Sequence, residues 1–101
     1  MDVFVALADP TRRRIVEMVS ARDMPAGQIA DKFDLSRPAV SKHLRILRQS
    51  GLLASRVVAQ QRIYSVNPTV LAELQQWAEK TQQLWASRLT GLDRHLEEAD
   101  S

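Results

Sequence analysis

Cysteine is absent from the 101-residue chain, which excludes disulfide bonds, a thiolate nucleophile and a cysteine metal site. Glycine occurs only three times and forms no phosphate-cradling loop. No apolar run approaches the roughly 20 residues that span a bilayer, and the first residues lack the basic and apolar regions of a signal peptide. We therefore expect one cytoplasmic domain over residues 1–101, without a cofactor.

Acidic residues are missing from residues 35–66, and this absence is the most informative one. Residues 1–66 hold 11 Lys/Arg and 6 Asp/Glu, whereas residues 67–101 hold 3 and 6, so the balance changes from +5 to −3. A solvated helix surface usually mixes both signs, because pairs of opposite charge stabilise it. An acid-free stretch with six cations predicts a polyanionic partner. The cations are Arg37, Lys42, Arg45, Arg48, Arg56 and Arg62.

Residues 36–51 predict a short helix with both ends encoded in the sequence. Ser36 suits the N-cap, Pro38 falls in the first turn, where its missing N–H costs nothing, and Gly51 suits the left-handed residue after the C-terminus. At about 100° per residue one stripe is apolar and therefore buried. That stripe contains Val40, Leu44 and Leu47, and the opposite side carries Pro38, Ser41, Lys42, Arg45 and Gln49.

Three shorter helical segments precede this helix, at residues 3–8, 10–20 and 25–33. The second begins with an Asp9 cap followed by Pro10, and its inward residues are Ile15, Met18 and Val19. The third segment and the basic helix are joined by a tight turn at residues 34–35, which is the helix-turn-helix pattern.

After Gly51 the pattern changes to two strands rich in β-branched residues, at 53–58 and 62–66. Residues 59–61 connect them without the Gly or Asn that a tight turn prefers, so we expect a loose or longer tip. Gln60, Gln61 and Arg62 would reach out from it. A hairpin directly behind a basic helix is the wing of a winged helix-turn-helix, so the predicted fold is mainly α with a small β-hairpin.

Residues 69–98 predict a long C-terminal helix with a narrow apolar stripe of the coiled-coil type. A helix of about 30 residues is roughly 45 Å long, more than one small domain can easily cover. The stripe therefore predicts a homodimer, although a helix folded only onto its own domain is the alternative. Gly91 is a point where the helix could bend or break. The predicted dimer interface is Phe4, Leu74, Ala78, Thr81, Trp85, Leu89 and Leu92.

Several motifs resemble the ArsR/SmtB family of bacterial repressors: residues 6–12 (ALADPTR), 35–44 (LSRPAVSKHL), 47–52 (LRQSGL) and 62–66 (RIYSV). The resemblance implies a homodimeric winged-helix repressor that binds an inverted-repeat operator and dimerises through its terminal helices. It also implies that Arg37, Ser41 and Lys42 face the major groove.

The resemblance points to the family's metal-independent, SdpR-like branch. Residues 93–95 (DRH) resemble half of the family's zinc pattern on the last helix. The second pair would fall beyond residue 101, and a cysteine site cannot exist, so we expect no metal site.

The residues and the resemblance together divide the chain into a DNA-binding core and wing at residues 1–66 and a dimerisation helix at residues 67–98. Histidines occur only twice and far apart, so we expect no enzyme. A protein-interaction module without specific DNA binding remains the alternative, and a small-molecule or protein effector stays unidentified. The predicted DNA-binding residues are Arg37, Pro38, Ser41, Lys42, His43, Arg45, Gln61 and Arg62.

Two groups of basic residues keep more than one interpretation. Arg12, Arg13 and Arg14 lie near the start of a helix, where cations gain nothing from its dipole. They could form a solvated basic turn, contact phosphate or pair with acids elsewhere. His43 lies at the edge of the buried stripe, so a packing or capping role stands beside contact with DNA.

Overall fold

The computed structural model describes residues 2–100, and the side chains of residues 2–91. Helices and strands follow in the order α1 (Val3–Leu7), α2 (Pro10–Ala21), β1 (Met24–Pro25), α3 (Ala26–Ala30), α4 (Arg37–Gln49), β2 (Leu53–Val58), β3 (Gln61–Val66) and α5 (Pro68–Asp100). The predicted winged helix-turn-helix, mainly α with a small β-hairpin, is confirmed. Within this described part, no helix is both long and apolar enough to span a bilayer.

The first two helices begin at aspartate caps. Asp2 accepts a hydrogen bond from the backbone N–H of Phe4, and Asp9 accepts one from that of Arg12 at 3.0 Å. α2 buries Ile15 and Val19 as predicted. Its third buried residue is Val16, whereas Met18 is half-buried. The apolar face of α2 is thus rotated slightly from the expected one.

The turn between α3 and α4 is longer than predicted, because α3 covers only Ala26–Ala30. Its expected first residue, Pro25, belongs to β1 and is extended at φ −65° and ψ 150°. α4 matches its prediction closely. Ser36 Oγ accepts from the N–H of Ala39 at 3.2 Å, and Gly51 adopts a left-handed φ of 86° after the helix.

β1 adds a third strand that the sequence did not predict, giving an antiparallel sheet with the order β1-β3-β2. Met24 pairs with Tyr64 in this sheet, and both side chains are buried. The wing turn also differs from its prediction. Ala59 and Gln60 form a tight two-residue turn with φ of 47° and 69°, and Gln61 is already in β3. This geometry suits the twist of a hairpin even though neither residue is Gly or Asn.

The hydrophobic core of residues 1–71 is formed by the inner faces of α1–α4 and the sheet. A fully buried core residue typically contacts many neighbours, so it fixes how these elements face each other. The core side chains are Ala6, Ile15, Val16, Val19, Met24, Ile29, Val40, Leu44, Leu47, Leu52, Leu53 and Tyr64. Because Val40, Leu44 and Leu47 take the predicted inner stripe of α4, the opposite face of that helix lies in solvent.

α5 runs without interruption through Gly91. From residue 72 to residue 91 it presents large apolar side chains that are exposed in the single chain, and Leu74 is half-buried. Leu92, also predicted at the dimer interface, lies outside the residues whose side chains are described. The exposed large apolar side chains of this part of α5 are Trp77, Leu84, Trp85 and Leu89.

Candidate nucleic-acid interface

The outer face of α4 is the basic surface predicted from the sequence. Arg37, Pro38, Ser41, Lys42 and Arg45 are all exposed on it. Burial of the opposite stripe holds this face outward, and the Ser36 cap fixes where the helix begins. The surface combines cations with a hydroxyl, and side chains of both kinds contact phosphates and base edges.

The cations of this face make no ion pairs with acids among the described side chains. In the part of the chain whose side chains are described, no ion pair involves Arg37, Lys42 or Arg45. Arg56 differs, since its guanidinium lies 2.9 Å from the carboxylate of Asp23. Arg37, Lys42 and Arg45 thus form a basic face on α4, whereas Arg56 joins β2 to the loop before β1.

The wing carries the other predicted DNA-binding residues. Gln61 and Arg62 are exposed at the start of β3, directly after the tight turn. Arg62 Nη1 donates a hydrogen bond to Ser55 Oγ at 3.0 Å, so the side chain is held against the strand instead of reaching out as predicted. An open cleft of about 430 Å³ separates this tip from the start of α3, and Gln28 and Asp31 line its other side.

A smaller crevice lies between α3 and α4. It has a volume of about 80 Å³, and its lining includes Gly27, Ala30, Arg37 and Ser41. No atom lies within 4 Å of the Cβ position that a side chain at Gly27 would occupy. The surface between α3 and α4 therefore has open space beside Arg37 and Ser41.

His43 is turned away from the open face and toward the N-terminal helices. Its Nδ1 atom lies 3.3 Å from Nη1 of Arg12 and 3.9 Å from Oδ2 of Asp9. Only about 20% of its side chain is exposed. The packing role considered for His43 therefore has contacts that support it, while a contact with DNA stays a prediction.

The neighbours of the Asp9 carboxyl lower its pKa. The backbone N–H of Arg12 donates to it and is the main cause that lowers its pKa below the ordinary value. Partial burial opposes the shift, and the nearby His43 and the Arg12 guanidinium support it. Asp9 is therefore stabilised as the anion at the start of α2, where the helix dipole also favours negative charge.

The three consecutive arginines have separate structural contacts, which the sequence did not predict. Arg12 donates through Nε to the carbonyl of Ala6 at 2.6 Å and through Nη2 to that of Val5 at 3.2 Å. Arg13 donates to the carbonyl of Leu7 at 2.9 Å. The guanidinium of Arg14 lies over the ring of Phe33, 5.5 Å from its centre. Two of the three thus satisfy carbonyls at the C-terminal end of α1.

The residues predicted at the dimer interface lie on α1 and α5. On α5, Thr81 Oγ1 donates to the carbonyl of Trp77, and Arg88 lies over the ring of Trp85 at 5.3 Å from its centre. Phe4, Trp85 and Leu89 are 48%, 55% and 43% exposed in the single chain. Trp77, Leu84, Trp85 and Leu89 thus expose apolar side chains along one helix, the kind of surface that a partner helix can cover.

Comparison with known proteins identifies the family. A family model described as a helix-turn-helix domain matches residues 7–56. The transcriptional repressor SdpR of Bacillus subtilis is 42% identical over 75% of this chain and 84% of its own length. The chain belongs to the ArsR/SmtB family. The HTH-type transcriptional regulator Rv2034 of Mycobacterium tuberculosis is 40% identical over 85% of this chain and 78% of its own.

A solved structure of this family has the same fold. The ArsR-like transcriptional regulator from Rhodococcus sp. RHA1 superposes with a TM-score of 0.80 at 30% identity, covering 91% of this chain and 87% of that one. The chain is therefore an ArsR/SmtB winged-helix transcriptional regulator, and this family consists of regulators rather than enzymes. Within the described residues, no group of three or more metal-ligating side chains comes together.

Proposed function

We propose that this ArsR/SmtB protein is a homodimeric repressor that binds an inverted-repeat operator with α4 in the major groove. The observation that carries the proposal is the outer face of α4, which is exposed, basic and free of acids. A major groove about 12 Å wide admits one α-helix. The name of SdpR, a transcriptional repressor, supports the direction of regulation. Binding to chromosomal DNA would place the protein in the cytoplasm.

The side chains of the interface would divide into two roles. Arg37, Ser41, Lys42 and Arg45 would face base edges, with Pro38 beside them, because the N-terminal half of the second helix normally enters the groove. Gln61 and Arg62, on the wing, would meet phosphates or the minor groove. A bidentate contact from arginine to guanine discriminates by about 1–3 kcal/mol, whereas a phosphate contact holds all sequences alike.

Dimerisation would bring two copies of α4 to one operator. The exposed apolar side chains of α5, together with Phe4, would form the contact between the copies. A two-fold dimer contacts two half-sites about 34–36 Å apart, one turn of DNA, so an inverted repeat matches the symmetry of the protein.

The test compares an operator duplex, found by footprinting the DNA upstream of the protein's own gene, with a random duplex. Arg37→Ala and Lys42→Ala should each narrow the affinity gap between the two duplexes, by roughly fivefold to 100-fold per subunit. Lys80→Ala is the matched control, because it also removes one exposed cation but lies on α5. It should leave the gap unchanged.

Two outcomes would contradict the proposal. A wild-type protein that binds both duplexes equally would favour the interaction module without specific DNA binding. If Lys80→Ala lost the preference for the operator duplex while Arg37→Ala and Lys42→Ala kept it, the residues that recognise the base sequence would lie on an element other than α4.

A further inference from the structure

Arg12 makes contacts that connect three helices at one point. Its guanidinium donates to the last carbonyls of α1, its backbone N–H donates to the Asp9 cap of α2, and its Nη1 reaches His43 on α4. The DNA-facing residue Lys42 is the immediate neighbour of His43 in the sequence. The orientation of the basic helix is therefore tied by a polar contact to the helix that carries Phe4.

The chemistry of the two groups determines which of them donates in this contact. A guanidinium has only donors, so a hydrogen bond from Arg12 requires that His43 Nδ1 accept and that the ring proton lie on Nε2. The Nη1 to Nδ1 distance of 3.3 Å is slightly longer than the usual range of about 2.7–3.2 Å. The carboxylate of Asp9 lies 3.9 Å from His43 Nδ1, and the nearby Arg12 guanidinium helps to lower the pKa of Asp9.

We propose that Arg12 is a positioning residue for DNA binding, acting through His43 to set the orientation of α4. The inference rests on the proposed function and extends it to a residue outside the DNA-facing surface. Three donors of the Arg12 side chain are engaged within the protein, which leaves it poorly suited to reach phosphate. Arg12 therefore affects operator binding by holding α4 in its orientation and not by contacting DNA itself.

Arg13 provides a matched control within the same helix turn. Its side chain also donates to a carbonyl at the end of α1, but none of its hydrogen bonds reaches α4. Arg12→Ala and Arg13→Ala both remove one cation and hydrogen bonds to carbonyls of α1, two in Arg12→Ala and one in Arg13→Ala. Only Arg12→Ala also removes the contact with His43.

The experiment is a double-mutant cycle with Arg12→Ala, His43→Ala and the double variant, measured on operator and random duplexes at two salt concentrations. Each single variant should weaken operator binding by about tenfold, and the double variant should be no weaker than the worse single variant. For Arg12→Ala, binding to random DNA and the salt slope should stay unchanged, because a guanidinium engaged within the protein makes no phosphate contact. Arg13→Ala should bind within about twofold of the wild type.

His43→Gln separates positioning from loss of folding, because its side-chain carbonyl can still accept from Arg12. It should recover most of the operator affinity that His43→Ala loses, while thermal unfolding shows that both variants are folded. Additive losses in the cycle would overturn the inference, as would an Arg13→Ala loss equal to that of Arg12→Ala. A salt slope lowered by about one per subunit in Arg12→Ala would instead identify a phosphate contact.

The outcomes also separate this inference from the proposed function. A wild-type protein without preference for its operator contradicts both. If the wild type prefers the operator but the affinity losses of the two single variants add up in the double variant, only the proposed role of Arg12 is overturned.

Discussion

The guanidinium of Arg62 and the hydroxyl of Ser55 are joined across the wing by a hydrogen bond of 3.0 Å. Ser55 lies two residues before Val57, the partner of Arg62 in the sheet, so the long side chain runs diagonally along the hairpin. Without DNA, the guanidinium of Arg62 therefore lies against the hairpin. Phosphate can compete for this guanidinium, because a charged acceptor makes a stronger bond than a hydroxyl.

Arg62→Ala should weaken binding to every duplex similarly and lower the salt slope by about one per subunit contact. The loss is uniform because phosphates carry no sequence information directly. Binding curves at two salt concentrations on operator and random duplexes provide the measurement. Ser55→Ala is the companion variant, and it should leave the salt slope unchanged since it removes only the internal partner. An Arg62→Ala variant that lost operator preference would instead show that the wing reads sequence.

The cap of α4 allows a prediction about stability. Ser36→Ala should lower the free energy of unfolding by about 1 kcal/mol, because the N–H of Ala39 loses its acceptor at a helix N-terminus. Ser36→Asp should preserve most of the stability, since a carboxylate also accepts this hydrogen bond and favours the positive end of the helix. Urea denaturation measures both. Equal stability of Ser36→Ala and the wild type would mean that the cap contributes nothing.

The elements with long periodic patterns were predictable from the sequence. α4 could be predicted with both of its ends because Ser36 and Gly51 each have a distinct conformational role, and because Val40, Leu44 and Leu47 repeat at helical spacing. Its outer face followed directly, since whatever is opposite a buried stripe is exposed. The basic surface is therefore visible in the sequence without any long-range information.

Features that depend on tertiary contact were not predictable. β1 has only two residues, too few for any period, and it exists because Met24 pairs with Tyr64 about forty positions away. The tight wing turn places Ala59 and Gln60 in left-handed conformations that their residue types disfavour. The contact of Arg12 with His43 joins two helices through side chains alone. Such contacts follow from packing, which residue spacing does not encode.

A charge on the apolar side of α5 tests the proposed dimer. Leu89→Glu should raise the dimer dissociation constant by at least about tenfold, because burying an unpaired carboxylate at the contact is costly. Helix propensity is nearly the same for both residues, so the helix itself should persist. Gln83→Glu is the control, since it adds the same charge at an exposed position on the other side of α5. Sedimentation equilibrium measures both variants, and a monomeric wild type at about 10 μM would contradict the dimer.

The lowered pKa of Asp9 predicts how stability depends on pH. A carboxyl whose folded-state pKa lies below its unfolded value of 3.8 stabilises the fold above that pH. This contribution is lost as the pH falls through the folded-state pKa, where the carboxylate becomes protonated. Asp9→Asn keeps an acceptor oxygen for the N–H of Arg12 but cannot ionise.

At about pH 5 the wild type should therefore be more stable than Asp9→Asn, by roughly 0.3–1 kcal/mol for a charge at a helix N-terminus. The difference should shrink as the pH falls below 3.8 and through the lower folded-state pKa, because the wild-type carboxyl becomes neutral there as well. Urea denaturation of both proteins across this range gives the measurement, and Asp34→Asn, at an exposed position before α4, is the control for removing one negative charge. A difference that stayed constant with pH, or grew on acidification, would show that Asp9 stabilises the start of α2 through its shape rather than its charge.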